Sequence, residues 1–209
     1  MFDTVQFIRH GWIERNRILK PNGGWQYIQV PLKKHSRETK ICGIEICNDQ
    51  AWKTKIIAQL QHYKNTAPYY REVINLLNEI FSKEYSSIVS LNQAVLNAVC
   101  NYLGVGRPIE VFTEMGLQVE PAAAPDEWAL NICQAIGNVD EYWNPPGGMD
   151  FFDRGKYEAA KIQLVFQKVN LKEYNQKRPV FEPGLSIIDV MMFNDITEIN
   201  MMLDNYELY

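Results

Sequence analysis

Between residues 52 and 102 apolar side chains recur at helical spacing three times in succession, and this pattern restricts the fold more than any other in the chain. Trp52, Ile56, Leu60 and Tyr63 share one face of a first helix. Tyr69, Val73, Leu76, Leu77, Ile80 and Phe81 do so in a second, and Ile88, Leu91, Val95, Val99 and Tyr102 in a third, since residues three and four apart lie on the same side of a helix. Pro68 stands near the start of the second helix, where a missing N–H costs nothing. Gly104 stands where a left-handed residue ends the third. Each apolar stripe has to be buried against another element, so the three predict a helical middle segment. They are read as packing and are assigned no chemistry.

The flanks follow a different period. Val5 and Phe7 alternate with Gln6 and Ile8, the spacing of a strand. The runs 17–20 and 25–30 flank Pro21-Asn22-Gly23-Gly24, which predicts a β-hairpin because the glycines supply positive φ and the proline presets the turn. Ile41, Ile44 and Ile46 suggest a further short strand, and residues 109–112 another. Asp126 is placed to cap a helix carrying Ala129, Ile132, Cys133 and Ile136 and ended by Gly137. A strand over 139–143, a short helix near 150–160 and a strand over 161–166 come next, then helices near 186–193 and 196–204. Strand and helix alternating at this pitch favour parallel pairing. The expected fold class is α/β: a mixed or parallel sheet, an N-terminal β-hairpin and a helical middle segment, in one domain over 1–209.

Composition bounds the class. The chain has 209 residues, 46% of them hydrophobic and 22% charged, as ordinary globular domains do. No apolar run approaches the ~18–20 residues a membrane helix needs. Met1-Phe2-Asp3-Thr4 has neither the basic nor the apolar stretch of a signal peptide, so the cytoplasm is the expected compartment and no membrane span is expected. Cys42, Cys47, Cys100 and Cys133 form no Cys-x-x-Cys pair and have no histidine at ligand spacing, so no metal site is expected and the thiols are read as reduced. Residues 1–40 hold 8 Lys/Arg and 3 Asp/Glu, net +5, and the remaining 169 hold 13 and 22, net −9. A cation-rich edge on an acidic protein suits a phosphate-bearing small molecule, or is a solvated surface. It is too small and too interleaved with apolar residues for a nucleic-acid footprint, so no nucleic-acid partner is expected.

The familiar catalytic signatures are missing: no phosphate-binding Gly-x-x-x-x-Gly-Lys, no Gly-x-Gly-x-x-Gly, no His-Glu-x-x-His and no Gly-x-Ser-x-Gly. Of His10, His35 and His62 only His10 has a context for chemistry, and His62 is expected at the surface. Two clusters remain. The stretch 6–17 gathers Gln6, Arg9, Trp12, Arg15, Asn16 and Arg17. Arginine offers a planar donor fork for phosphate or carboxylate, tryptophan a flat apolar face, and the amides donors and acceptors for hydroxyls. The alternative is a surface strand with Trp12 packed on the core. The second cluster is Tyr142-Trp143-Asn144-Pro145-Pro146-Gly147-Gly148-Met149-Asp150, where Gly147 and Gly148 leave backbone N–H groups open to an anion and Asp150 caps a helix or meets a sugar hydroxyl. A plain connection between strand and helix is the alternative. Ser186-Ile187-Ile188-Asp189 fits a helix-capping pattern. Tyr174 and Gln176 just upstream are read as pocket-lining groups or loop surface. The expectation for the whole is that the two clusters converge on one positively charged recess.

These residues resemble the WbqC-like family. The likeness rests on Val5-Gln6-Phe7, Trp12, Arg15-Asn16, Ile18, Trp25, Val30-Pro31 and Trp52, then on Tyr142, the 145–148 bend, Tyr174, Gln176, Phe181, Pro183 and Leu185-Ser186-Ile187-Ile188-Asp189. It spans most of the chain in order. Members occur in bacterial O-antigen and surface-polysaccharide gene clusters and have been suggested to transfer glycine, or another acyl or aminoacyl group, to an amino sugar. Family members normally begin earlier, with a strand carrying Gln-Pro and a Pro-Trp segment before a helix, which this chain is expected to lack. Arg9 stands where a lysine is common.

The resemblance therefore implies an acyl or aminoacyl transferase acting on a nucleotide-linked amino sugar. Attack of a sugar amine on an activated carbonyl needs a base, oxyanion donors and cations for the diphosphate. Asp3 and Glu14 are the candidate bases, Arg9 and Arg15 the clamps, Gly147 and Gly148 the oxyanion donors, and Gln6 and Asn16 the groups that orient the acceptor. Trp12, Asp150, Tyr174, Gln176 and Ser186 complete the candidate substrate site. No cofactor is assigned. The alternative is a non-catalytic module binding a nucleotide sugar or glycan.

Overall fold

The turn at Pro21-Asn22-Gly23-Gly24 forms as the sequence requires, with φ of +107° at Gly23 and +64° at Gly24. The computed structural model describes residues 1–209. In chain order its elements are β1 (Arg15–Leu19), β2 (Trp25–Gln29), α1 (Trp52–Leu60), α2 (Tyr70–Phe81), α3 (Ile88–Tyr102), α4 (Glu127–Ile136), β3 (Glu141–Asn144), α5 (Arg154–Ala159), β4 (Gln163–Val169), α6 (Ile187–Phe193), α7 (Ile196–Leu203) and β5 (Tyr206–Leu208). The fold class is the α/β expected. The residues gather into two compact units, Met1–Glu114 with Leu171–Met202, and Met115–Asn170 with Leu203–Tyr209.

In the first unit β1 and β2 pair antiparallel, Arg15 opposite Gln29 and Leu19 opposite Trp25. The Lys20 N–H donates to Gly24 O at 3.0 Å to close the turn. The predicted stripes of the three middle helices are the faces that bury: Trp52, Ile56 and Leu60 on α1, Val73, Leu77 and Ile80 on α2, and Ile88 and Leu91 on α3. They share a core with Ile18, Leu19 and Ile28 of the hairpin and with Met191, Met192, Phe193 and Ile199 of α6 and α7. Ser87 starts α3, its Oγ accepting the Ser90 N–H at 3.1 Å. Val95 and Val99, farther along the same stripe, are only half-buried.

In the second unit the strand order is β3-β4-β5. β3 and β4 pair in parallel and β4 and β5 antiparallel. α5 makes the crossover that a parallel pair demands. Leu130, Cys133, Tyr157, Ile162, Leu164 and Phe166 form its core. All four cysteines of the chain are free thiols.

Several local expectations are corrected. The strand at Val5 and Phe7 shrinks to one bridge between Gln6 and Lys40, because the chain turns away at His10, whose φ is +64°. Ile41 opens a 3-10 turn, and Ile46 and Glu45 make single bridges to Leu32 and Ser87; Ile44 and Ile46 are buried, but no neighbouring strand runs beside them. Residues 109–112 form no strand, since side chains of α3 and the first residue satisfy that backbone: Gln93 Nε2 donates to Ile109 O at 2.9 Å, Asn97 Oδ1 accepts the Ile109 N–H at 2.8 Å, and the Phe112 N–H donates to Met1 O at 2.9 Å. Asp126 does not cap α4 with its side chain; its carboxylate instead receives Lys156 Nζ at 3.1 Å. Asp153, not Asp150, caps α5, its Oδ1 accepting the Gly155 N–H at 2.9 Å. β5 was not foreseen. His62, expected at the surface, is half-buried with its ring centroid 4.3 Å from that of Tyr63.

Leu60 is fully buried where the helical stripes meet the hairpin. Leu60→Ala is expected to lower unfolding free energy by ~2–5 kcal/mol, checked by urea denaturation.

Candidate functional site

The first unit contains a cavity of about 410 Å³, within the ~300–1,000 Å³ typical of small-molecule sites. Interiors are otherwise packed with few voids larger than a water, so a recess of this size is a feature of the fold. Its walls come from the hairpin, α1, α2, α3 and α6. Most are aliphatic or aromatic; the polar lining is Glu14, Arg15, Asn16, Gln29, Asn92 and Ser186, chiefly from the hairpin side. Trp12, Gln29 and Leu96 line it and are exposed, which marks its opening to solvent.

Glu14 is the group with no structural account. It precedes β1, and its carbonyl accepts the Val30 N–H at 2.8 Å, which extends the hairpin by one pair. The residue is 6% exposed, and its Oε2 is buried with no hydrogen-bond partner. An orphaned buried acceptor costs on the order of 1–3 kcal/mol, more for a charged group. A carboxylate left so in a cavity wall is suited to receive a proton or pair with a ligand cation.

The neighbours of Glu14 are built in. Arg15 Nε donates to Gly11 O at 3.3 Å, its Nη2 donates to His10 O, and its guanidinium lies 4.1 Å from the Tyr27 ring centroid. It braces the 8–13 loop as well as lining the cavity. Asn16 Oδ1 accepts the Arg17 N–H at 2.8 Å. Arg17 sits between two indoles, 5.4 Å from the Trp12 centroid and 5.2 Å from Trp25, and donates to Gly184 O at 2.7 Å. Asn92 Nδ2 donates to Ile13 O at 3.0 Å and so fixes the loop leading to Glu14. Asn92 and Gln29 were missed in the sequence; the only sign was an amide beside the Leu91–Val95 stripe of α3, and Gln29 carried none. Ser186 caps α6, its Oγ accepting the Ile188 N–H at 3.3 Å, and its own N–H donates to Arg17 O at 2.8 Å.

Behind the cavity wall lies a second buried carboxylate, Asp189, which is fully enclosed. Tyr63 and Tyr174 each donate a hydroxyl to it at 2.5 Å and Gln176 Nε2 donates at 3.3 Å. The Tyr63 hydroxyl in turn accepts the Leu19 N–H at 2.8 Å. Burial pushes the Asp189 carboxyl above the ordinary carboxylate range, although its three donors pull it back. Burial first, then the Asp189 charge, push both tyrosines far above the usual phenol value, so both remain donors. Gln176 also clips Glu182, accepting its N–H at 2.8 Å and donating to its carbonyl at 2.9 Å. Tyr174 and Gln176 thus serve Asp189, and neither lines the cavity.

The other candidates lie elsewhere. Asp3 is buried and spent on Thr113, accepting its N–H at 3.2 Å and its hydroxyl at 2.6 Å. Gln6 is exposed and donates to Arg37 O at 2.6 Å, and Arg9 is exposed in the loop. Gly147, Gly148 and Asp150 belong to the second unit. The Gly148 N–H donates to Pro145 O at 3.2 Å. A Cβ there would come within 2.4 Å of Asn144 Nδ2 and 2.8 Å of Phe152, so packing alone accounts for that glycine. Asp150 is exposed. Of the sequence candidates, Trp12, Glu14, Arg15, Asn16 and Ser186 are the ones brought together around the cavity.

Fold and recess define the class: a mixed α/β protein whose hairpin and helices enclose a largely apolar cavity with one unpartnered carboxylate. The chain belongs to the WbqC-like protein family, whose model matches residues 1–201. It is similar to the uncharacterized protein Rv1507c of Mycobacterium tuberculosis (strain ATCC 25618 / H37Rv), 26% identical over 196 residues, which cover 93% of this chain and 82% of that protein. No solved structure matches it. No helix is long and apolar enough to cross a membrane.

Tyr63→Phe strips a donor from Asp189 and an acceptor from the Leu19 N–H, and is expected to cost about 1–3 kcal/mol by chemical denaturation. Because the folded-state value of Asp189 is raised, the native state holds that proton more tightly than the unfolded chain. The ionisation penalty is absent below the unfolded value and grows as pH rises through the folded one. Acidification from neutral pH is therefore expected to stabilise the wild type relative to Asp189→Asn; a stability difference independent of pH would contradict this.

Proposed function

We propose that this protein transfers an acyl or aminoacyl group to the amine of an amino sugar, carried on a nucleotide, in O-antigen or other surface-polysaccharide biosynthesis. The observation that carries the reading is Glu14: a buried carboxylate whose Oε2 has no partner, in the wall of a cavity of small-molecule size. A sugar ammonium is the cation such a group accepts, and only the deprotonated amine attacks a carbonyl. Family membership supplies the polysaccharide context.

The step balances as follows. Glu14 Oε2 takes a proton from the sugar ammonium. The freed nitrogen pair forms a C–N bond to the carbonyl carbon of an activated acyl donor, an acyl thioester. The C–S bond breaks, its electron pair leaves on sulfur, the proton held by Glu14 passes to the thiolate, and the freed carboxylate takes the second proton from the new amide nitrogen and releases it to solvent. Trp12, exposed at the opening, offers its indole face to the sugar ring, and Asn16 and Ser186 flank the acceptor. Arg15 contributes positive potential for the diphosphate. Direct attack needs no protein nucleophile, in keeping with a cavity lined by neither histidine nor cysteine.

A second reading is a non-catalytic module for a nucleotide sugar. It is favoured by the Arg15 guanidinium, which already serves two loop carbonyls and a tyrosine ring. Incubation with nucleotide-linked amino sugars and acyl thioesters, followed by mass spectrometry, separates the two. Transfer is expected, and Glu14→Gln is expected to lower kcat by ~10²–10⁴-fold, the scale of a lost general base, and to raise KM for the amino sugar, whose ammonium loses its partner. Thermal stabilisation by the nucleotide sugar, approaching about 2.7 kcal/mol at ~100 times its dissociation constant, without product from any donor, would leave binding alone.

A further inference from the structure

We infer that the acyl group carried by this site is an apolar chain, which lies between α2 and α3 with its carbonyl beside Glu14. The inference deepens the transferase reading above and rests on it. The lining is graded in polarity. Polar lining is concentrated on the hairpin side, where Glu14, Asn16 and Gln29 stand, and the opening is marked by Trp12, Gln29 and Leu96. Away from the hairpin the cavity is lined by Val73, Leu77 and Ile80 of α2 and Leu91, Val95 and Val99 of α3. None of these six side chains carries a polar atom. The amine that meets Glu14 becomes the amide nitrogen of the product. With the sugar held at the wet opening, the other substituent of that nitrogen, the acyl chain, runs along the aliphatic wall.

Polarity decides which chain this is. A glycyl group would bring a second ammonium into the aliphatic part, where these six side chains present no acceptor, and a buried cation without a partner is strongly disfavoured. The one buried acceptor without a partner in the wall is Glu14 Oε2, and the acceptor amine uses it. An alkyl chain has no such cost and gains from each methylene taken out of water. The volume, about 410 Å³, leaves room for a chain well beyond acetyl.

The test uses the full chain and N-acyl glucosamines, which mimic the product without the nucleotide. Acetyl, butanoyl and octanoyl forms are titrated calorimetrically, with N-glycyl glucosamine as the polar comparison. Affinity is expected to rise by up to about fourfold per methylene until the cavity is full, with octanoyl at least tenfold tighter than acetyl and the glycyl form weakest. Val95→Phe and, separately, Val99→Phe fill half-buried parts of the wall and are expected to flatten this dependence while acetyl binding persists; circular dichroism confirms which of the two is folded. Equal affinity across the series, tightest binding of the glycyl form, or a chain-length dependence untouched in the folded variants overturns the inference. Transfer from glycyl thioesters with no chain-length preference would sink this inference and spare the transferase reading. Chain-length-dependent binding without transfer from any thioester would do the reverse.

Discussion

A carboxylate held by neutral donors ties the first unit together. Asp189 has no cation in contact; two phenols and an amide satisfy it. Through Tyr63 it reaches the backbone of Leu19 at the end of β1. Through Tyr174 and Gln176 it reaches the segment that leads to α6. Segments more than a hundred residues apart in sequence thus meet on one buried group. Inside a low-dielectric core such a network is strong when complete and costly when one member is missing. Because Ser186 caps α6 and donates to Arg17 O, the same helix that carries Asp189 also holds the strand beside Glu14.

The two interior carboxylates show how similar side chains take different roles. Asp189 is enclosed and saturated, and its chemistry is exhausted by structure. Glu14 is enclosed on the hairpin side of a cavity, and its Oε2 is unmet. The fold spends several groups to place it: the Val30 N–H fixes its backbone, Asn92 fixes the residue before it, and Arg15 fixes the loop ahead. A side chain positioned this carefully and left unpaired is the feature on which the proposed site rests.

The helices, the hairpin and the parallel pair were legible because each is written locally. The stripes from Trp52 to Tyr102 follow the helical period, and Gly23 and Gly24 specify their turn. The short strands near 5–8, 41–46 and 109–112 were misread because their apolar alternation is real but their partners are single residues or side chains, such as Gln93 and Asn97, which no local pattern announces. Within the site, the 12–16 stretch and Ser186 could be picked out by residue type. The cavity could not, since its walls are the very stripes read as packing: Val95 and Val99 look the same in sequence whether they face a neighbour or a void. Tyr174 and Gln176 read as pocket lining or as loop surface, because their common partner, Asp189, lies more than ten residues away and reads as a capping residue.

The first unit is discontinuous in sequence, with the second emerging between Glu114 and Leu171. During synthesis the hairpin and α1 to α3 therefore leave the ribosome well before α6 exists. Until then Tyr63 has no Asp189 to engage and the Leu19 N–H lacks the polarised hydroxyl it pairs with. The second unit, by contrast, can assemble α4, β3, α5 and β4 as they appear and wait only for β5. The part of the chain made first is thus sealed only by residues made after most of the second unit, which leaves the nascent hairpin and helices dependent on delayed closure.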